Sequence, residues 1–254
     1  MTKCYGLIGY PLGHSFSKAY FTEKFKSEHI HAAYDLYPIT NVDQLLPMIE
    51  KLPELCGLNV TIPYKQQVIP FLDSISDEAA SINAVNTISI IRKDDKISLT
   101  GWNTDAPAFE EQLISFAGGS IPAGALIIGT GGAAAAVAFV LKKLHCNFRF
   151  VSRHPQGDDQ ISYDMVTADR VNQTPLIINA TPLGMFPKTD AAPLFPYHAL
   201  NANHLLFDLI YNPAETQFMA LGKQYGAKVC NGLGMLHKQA ELAWNIWQSD
   251  FFIS

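Results

Sequence analysis

Two residues in the N-terminal half are of types that move protons, and both stand where the chain changes direction. Lys65 ends the stretch GLNVTIPYK, in which an apolar run meets Pro63, turns through Tyr64 and delivers an ammonium group. Asp105 ends GWNTD, shortly before Pro107. A lysine beside a carbonyl oxygen can stabilise negative charge that develops there, or give that oxygen a proton. A neighbouring carboxylate would hold the ammonium in place, while desolvation would ease its deprotonation, so the two influences oppose each other. Each residue also has a plainer reading. Lysines at strand ends are mostly solvated, and Asp105 can cap a helix beginning at Pro107. Ser15 and Ser17 in GHSFS, Thr61, and Asn86 in NAVNT add neutral hydrogen-bonding groups at comparable positions. Such groups suit a small hydroxylated, carboxylated molecule, although each alone can equally be a turn or cap residue.

The second source of chemistry is ALIIGTGGAAAAVAFVLKKL. An apolar strand runs into Gly129, Gly131 and Ala134 in G-x-G-x-x-A spacing, and a helical segment follows. Gly129 permits a tight turn, Gly131 lets backbone N–H groups approach a pyrophosphate, and Ala134 lets the helix lie close to the sheet. At the end of the next strand an acid would bond the ribose hydroxyl of NAD, whereas an arginine accommodates the phosphate of NADP. This chain has Ser152, Arg153 and His154 there, and its first carboxylate, Asp158, lies too far along the loop to substitute. The expectation is NADP(H).

These groups need a scaffold. The chain of 254 residues, 48% hydrophobic and 16% charged, is long enough for one large or two smaller domains. A net charge of −5 without a Lys/Arg cluster argues against nucleic acid. The N-terminal stretch has no long apolar run, so neither a signal peptide nor a membrane anchor is expected, and the location expected is cytoplasmic. Cys4, Cys56, Cys146 and Cys230 are scattered singly, which reads as free core cysteines in a reducing compartment. With no ligand cluster and a lysine available as electrophile, no metal is expected. CYGLIGY, AYDLYPI and GLNVTIP read as strands, with helical stretches such as residues 41–51 between them despite Pro47, in the rhythm of a parallel sheet. Two alternating runs then flank Lys93-Asp94-Asp95-Lys96, a hairpin turn, after which a domain boundary is expected. GALIIG, a helix over 132–144, NFRFVS, PLIINAT, HLLFDLIY and AKVCN form a second, doubly wound series, closed by the amphipathic GLGMLHKQAELAWNIWQ. The expected class is α/β in two domains, with substrate in the cleft between them.

The motifs GYPLGHSFS, NVTIPYK, INAVNT, GWNTD, GTGGAA, NATPLGM, FDLIYNP and NGLGMLHKQA, in this order and spacing, resemble the shikimate dehydrogenase family over nearly the whole chain. The resemblance implies reversible NADPH-dependent reduction of 3-dehydroshikimate to shikimate on the way to aromatic amino acids. It implies a smaller substrate domain over 1–105, completed by a C-terminal helix over 235–254, and a Rossmann-type NADP domain over 106–234. It makes Lys65 and Asp105 the catalytic pair and Ser15 and Ser17 the carboxylate holders, with Thr61, Asn86, Tyr211 and Gln239 as further substrate contacts. For the cofactor it implies Gly129, Thr130, Gly131, Gly132 and Ala133 at the diphosphate and Ser152, Arg153 and His154 at the adenosine phosphate. Thr181, Leu209 and Gly232 would lie near the nicotinamide, and Asp77 is a weaker cofactor position. The partner implied is the small-molecule substrate, with the chain a monomer or homodimer. This sequence departs from the family pattern at Lys18, Phe21, Thr22 and Ala108, and at Ser152 and His154 beside the arginine. Two other readings are a quinate/shikimate dehydrogenase using NAD and a non-catalytic nucleotide-binding sensor. The paired serines and Arg153 argue against the first, and the presence of both Lys65 and Asp105 against the second.

Overall fold

The structure, a computed structural model, describes residues 2–13 and 15–249; His14 of GHSFS and residues 250–254 of the expected closing helix lie outside the described residues. The chain forms two compact units, one running to Thr104 and taking in the residues from Ala240, the other spanning Asp105–Gln239.

The first unit contains β1 (Lys3–Gly9), α1 (Phe16–Ser27), β2 (Ala32–Pro38), α2 (Leu45–Lys51), β3 (Leu55–Val60), β4 (Ser74–Ile75), α3 (Asp77–Ile82), β5 (Thr87–Lys93) and β6 (Lys96–Trp102). Its sheet has the order β2-β1-β3-β5-β6-β4. The sequence rhythm predicts a parallel sheet, and β1 is indeed parallel to β2 and β3, but β5 and β6 join the same sheet antiparallel, making it mixed. Lys93 pairs with Lys96 across a two-residue turn, with Asp94 and Asp95 both at positive φ as a primed turn requires. Pro47 sits in the first turn of α2, after a 3₁₀ turn over Val42–Gln44, where a missing N–H costs no helical bond. One core includes Ile8, Leu45, Leu58, Val60 and Ile88; a second, aromatic core gathers Tyr5, Phe21, Phe25, Tyr34 and Trp247.

The second unit contains α4 (Asp105–Phe116), β7 (Gly124–Ile128), α5 (Gly132–Lys143), β8 (Asn147–Val151), β9 (Gln160–Ile161), α6 (Ala168–Asn172), β10 (Leu176–Asn179), β11 (Leu205–Asp208), α7 (Gln217–Gln224) and β12 (Lys228–Cys230). All its strands are parallel, in the order β12-β11-β10-β7-β8-β9. Leu126, Ile128, Ile177 and Leu206 face one core with Phe218 of α7, while Phe207 of β11 meets Phe109 of α4 at 5.1 Å between ring centroids. The last helix, α8 (Leu233–Ser249), counts with the second unit to Gln239 and with the first from Ala240.

Three expectations need adjusting. The helix expected from Pro107 starts at Asp105, because a proline in the first turn replaces a donor that has no helical partner anyway. β10 and β11 end at Asn179 and Asp208, short of the apolar runs that predict them, because the chain there leaves the sheet as loops. Of the four free cysteines only Cys146 is buried; Cys4, Cys56 and Cys230 are partly exposed.

Candidate functional site

In the first unit, the turn after β3 is fixed from below. Thr61 N donates to Ile8 O at 2.9 Å, and Tyr64 N donates to Thr61 O at 2.9 Å. Tyr64 is buried, and its hydroxyl donates to Ile39 O at 2.7 Å. Tyr64 is thus an internal peg, and Lys65, the next residue, is half-buried. Its carbonyl accepts from Val85 N at 2.7 Å, beside Asn86. Asn86 is buried; its Oδ1 accepts from Thr104 N at 2.7 Å and its Nδ2 donates to Thr104 Oγ1 at 2.9 Å. The chain passes from Thr104 directly into Asp105, the buried first residue of α4, in a first turn that favours negative charge. Lys65, Asn86 and Thr104, far apart in sequence, are thus held near the start of β5 by backbone and side-chain hydrogen bonds.

That cluster continues inward. Asn59 donates to Thr87 Oγ1 at 3.2 Å and accepts from the Tyr34 hydroxyl at 2.8 Å. Burial pushes the Tyr34 hydroxyl above its ordinary range, and a hydrogen bond with Ser17 opposes the rise. Phe21 stacks on Tyr34 at 4.7 Å between centroids and 13° between planes, so this departure from the family pattern holds the ring that reaches Ser17. Ser15 caps α1 by accepting from Lys18 N at 3.5 Å. Lys18 pairs with Asp35 at 2.9 Å, Thr22 donates to Lys18 O at 2.7 Å, and Ala108 is fully buried in α4. A cleft of about 340 Å³ beside α1 includes Ser15 but none of Ser17, Thr61, Lys65 or Asn86 in its lining. Asp77 is exposed in the first turn of α3, behind the Ser76 cap, and so belongs to this unit and not to the one carrying the glycine loop.

In the second unit, β7 leads into Gly129 at φ +108°, where a Cβ would come within 3.0 Å of Thr181 Cγ2 and 3.2 Å of Ala180 O. That position requires glycine. Gly131 differs: its φ is −79°, it caps α5 without a side-chain hydrogen bond, and a Cβ would meet nothing within 4 Å. The protein does not need glycine there, whereas a group lying against the open loop would. Gly132 and Ala133 follow in the first turn, with N–H groups that lack helical acceptors, and Thr130 is exposed beside them. This fits a phosphate. At the end of β8, Ser152 N donates to Ile161 O at 2.9 Å and Ser152 Oγ accepts from His154 N at 3.2 Å. Arg153 and His154 are exposed, and the Arg153 charge opposes the upward push that burial gives the Tyr163 hydroxyl. The donor set fits a dinucleotide carrying an extra phosphate.

On the other side of β7, β10 and β11 end in polar residues that sequence reasoning did not single out. Asn179 and Asp208 are both fully buried. Asp208 accepts from Asn179 Nδ2 and Ile210 N, each at 3.0 Å, and from Thr216 Oγ1 at 2.6 Å. Burial pushes its carboxyl up to about 6, and these three hydrogen bonds hold it below where burial alone would put it. Asn179 Oδ1 accepts from Thr181 N at 3.1 Å and Thr181 Oγ1 at 2.7 Å. The readable signal was a polar residue closing an otherwise apolar strand, in LIIN and LLFD. Gly232 N donates to Ile210 O at 3.0 Å, and a Cβ on Gly232 would fall 2.2 Å from Leu209 O, so the start of α8 lies directly on the Leu209 backbone. Tyr211 is half-buried, and burial raises its hydroxyl. Gln239 is buried and donates to Leu236 O at 3.0 Å. Among the described residues, no group of three or more His, Cys, Asp or Glu could hold a metal ion, and no helix is long and apolar enough to cross a membrane.

The family model described as the shikimate dehydrogenase substrate binding domain matches residues 7–88. A shikimate dehydrogenase (NADP(+)) of Clostridium beijerinckii is 41% identical over 256 residues, covering 96% of this chain and 91% of its own. A chorismate mutase/shikimate 5-dehydrogenase fusion protein from Clostridium acetobutylicum superposes with a TM-score of 0.86 at 34% identity, over 98% of this chain and 92% of that one. The Thermus thermophilus shikimate 5-dehydrogenase, solved with NADP(H) and shikimate, gives a TM-score of 0.82 at 30% identity, over 97% of this chain and 94% of its own. With its glycine loop, its arginine at the end of β8 and this likeness along nearly its whole length, the chain belongs to the shikimate dehydrogenase family.

Proposed function

We infer that the chain is a shikimate dehydrogenase, reversibly reducing 3-dehydroshikimate to shikimate with NADPH. The observation that carries this reading is the open loop of Gly131 followed by Arg153 in the second unit, in a chain 41% identical to a shikimate dehydrogenase (NADP(+)). Gly129 to Ala133 would hold the diphosphate. Ser152, Arg153 and His154 would hold the adenosine phosphate, where a guanidinium makes bidentate bonds that a ribose hydroxyl cannot reproduce. When bound, the cofactor supplies hydride to the ketone carbon. Lys65 stabilises the charge that develops on the ketone oxygen and gives that oxygen its proton, and Asp105 holds the ammonium in place. The half-buried position of Lys65, directly after the buried Tyr64 that fixes the turn, supports this role. Ser15 and Ser17 take the substrate carboxylate, with Ser17 oriented by Tyr34, while Thr61, Asn86, Tyr211 and Gln239 offer neutral partners for its hydroxyls. In this assignment the residues to 104, with those of the closing helix from Ala240 on, form the substrate domain, and the Asp105–Gln239 unit binds the cofactor.

The test is nicotinamide absorbance with shikimate or quinate, each with NADP⁺ or NAD⁺. Turnover of shikimate with NADP⁺ well above the other three combinations is expected. Faster turnover of quinate with NAD⁺ would reassign the enzyme, and no turnover with any pair would make it a binding protein.

A further inference from the structure

Topology places Thr181 under one half of a bound dinucleotide. In a doubly wound sheet the ligand crosses the carboxyl ends of the strands where their order reverses, and here that point lies between β7 and β10. Arg153 follows β8 by two residues, on the adenosine side, so the other half would lie over β10, whose end carries Asn179 and, two residues on, Thr181. Thr181 is half-buried and lies against Gly129, as the 3.0 Å approach of its Cγ2 to a Cβ built there shows.

The hydrogen bonds around Thr181 run in one direction. Ile210 N is a backbone donor and cannot reverse, so Asp208 Oδ1 accepts from it and from Asn179 Nδ2. This turns Asn179 Oδ1 toward Thr181, where the Thr181 backbone N–H, equally irreversible, also points. The Thr181 hydroxyl must then donate its only proton to Asn179 Oδ1, at 2.7 Å. Its oxygen accepts from Leu183 N at 3.3 Å and keeps one lone pair. Toward a ligand, Thr181 is an acceptor and not a donor.

We propose that Asn179, held by Asp208, is a positioning residue that makes the Thr181 hydroxyl an obligate acceptor for the carboxamide N–H of the nicotinamide, selecting that amide against carbonyl substituents that carry no N–H. This rests on the NADP reading above. A second consequence is that swapping Thr181 for serine preserves the selection, whereas swapping it for valine, of the same shape, abolishes it.

The test measures dissociation constants at pH 8 for NADP⁺, for its 3-acetylpyridine analogue, in which a methyl replaces the amide nitrogen, and for 2′,5′-ADP, which has no nicotinamide. The parent protein should prefer NADP⁺ to the analogue by roughly five-fold, the ratio for one hydrogen bond. Thr181→Val and Asn179→Ala should bring the two within about two-fold, Thr181→Ser should keep the preference, and all should bind 2′,5′-ADP like the parent. Retention of the parental preference by Thr181→Val overturns the proposal. So does its retention by Asn179→Ala when Thr181→Val has lost it, since the amide then does not set the direction. If Asn179→Ala does not bind 2′,5′-ADP, the valine and serine variants decide alone. Failure of the parent itself to bind 2′,5′-ADP would instead sink the NADP reading.

Discussion

Both units back their candidate site groups with a buried polar network, and the two networks are built on opposite plans. In the first unit, Tyr34, Asn59, Thr87, Asn86 and Thr104 are all neutral, and the Thr87 and Thr104 hydroxyls, 3.4 Å apart, can exchange donor and acceptor roles. In the second, a carboxylate sits at the centre, and backbone N–H groups at both ends fix the direction of every bond through Asn179. In the first network Thr104 N fixes Asn86 Oδ1 as an acceptor, but the Thr87 and Thr104 hydroxyls can adjust their protons to a ligand with several hydroxyls, while the second presents a single polarity at Thr181. The second plan is also the more exposed to damage, because three donors depend on one buried acceptor.

The largest effect should come from the group that the neutral network supports. Lys65→Ala should lower turnover by about two to four decades, the range of a general acid–base group, with NADP⁺ affinity held. Steady-state rates and cofactor titration check this, and near-parental turnover would return Lys65 to the solvated surface. Next is Asp208→Ala, which orphans the donors of Asn179, Ile210 and Thr216. The expected loss is about 3–5 kcal/mol, from about 1–3 kcal/mol for each buried group left unpaired, read from urea denaturation. A loss below about 1 kcal/mol would mean the carboxylate does not organise this region.

The same carboxylate gives the second unit a dependence on pH that the neutral network lacks. Asp208 rises from 3.8 to about 6 in the folded chain, mainly through burial. The folded state therefore binds more protons in that window than the unfolded state does. Its contribution to stability is greatest below the unfolded value and falls as pH rises through about 6, by up to about 3 kcal/mol. Thermal unfolding of the parent and of Asp208→Asn across this window should show the decline in the parent only. Arg153→Ala should weaken NADP⁺ binding by roughly ten- to a hundred-fold and NAD⁺ binding hardly at all, from about 1.5–3 kcal/mol for each charge-assisted bond. Equal losses for both would move Arg153 out of the phosphate pocket. The smallest effect belongs to the network that can rearrange. Tyr34→Phe should lose about 1 kcal/mol of stability and raise the KM for shikimate, because Ser17 loses the hydroxyl that orients it. An unchanged KM would disconnect Tyr34 from the substrate site.

Much of this was legible in the residues, and the part that was not has physical causes. GALIIG and the helix after it declare themselves because strand, tight turn and close-packed helix each impose a residue type at a fixed spacing. Asp94-Asp95 declared the hairpin because two adjacent positive φ angles select few residues. β4 and β9, two residues each, are too short to carry a period, and the antiparallel placing of β5 beside β3 depends on a partner 28 or more residues away. The Asp208–Asn179 bond joins residues 29 positions apart on neighbouring strands, so no local spacing announces it. At Tyr34 and Phe21 the ring types are visible, but their stacking and the reach to Ser17 come only from tertiary packing.

The division of α8 between the units sets an order of assembly. Domains made on a ribosome usually fold from the N-terminus onward. Here the Asp105–Gln239 unit is complete in sequence before the first unit receives Trp247, which fills the aromatic core with Tyr5 and Phe21 and donates to Ile88 O at 3.0 Å. The unit that begins first is therefore the one that closes last. Until the helix emerges, the nascent chain carries an aromatic face with nothing against it, a natural target for a chaperone and the place where a truncated product would aggregate.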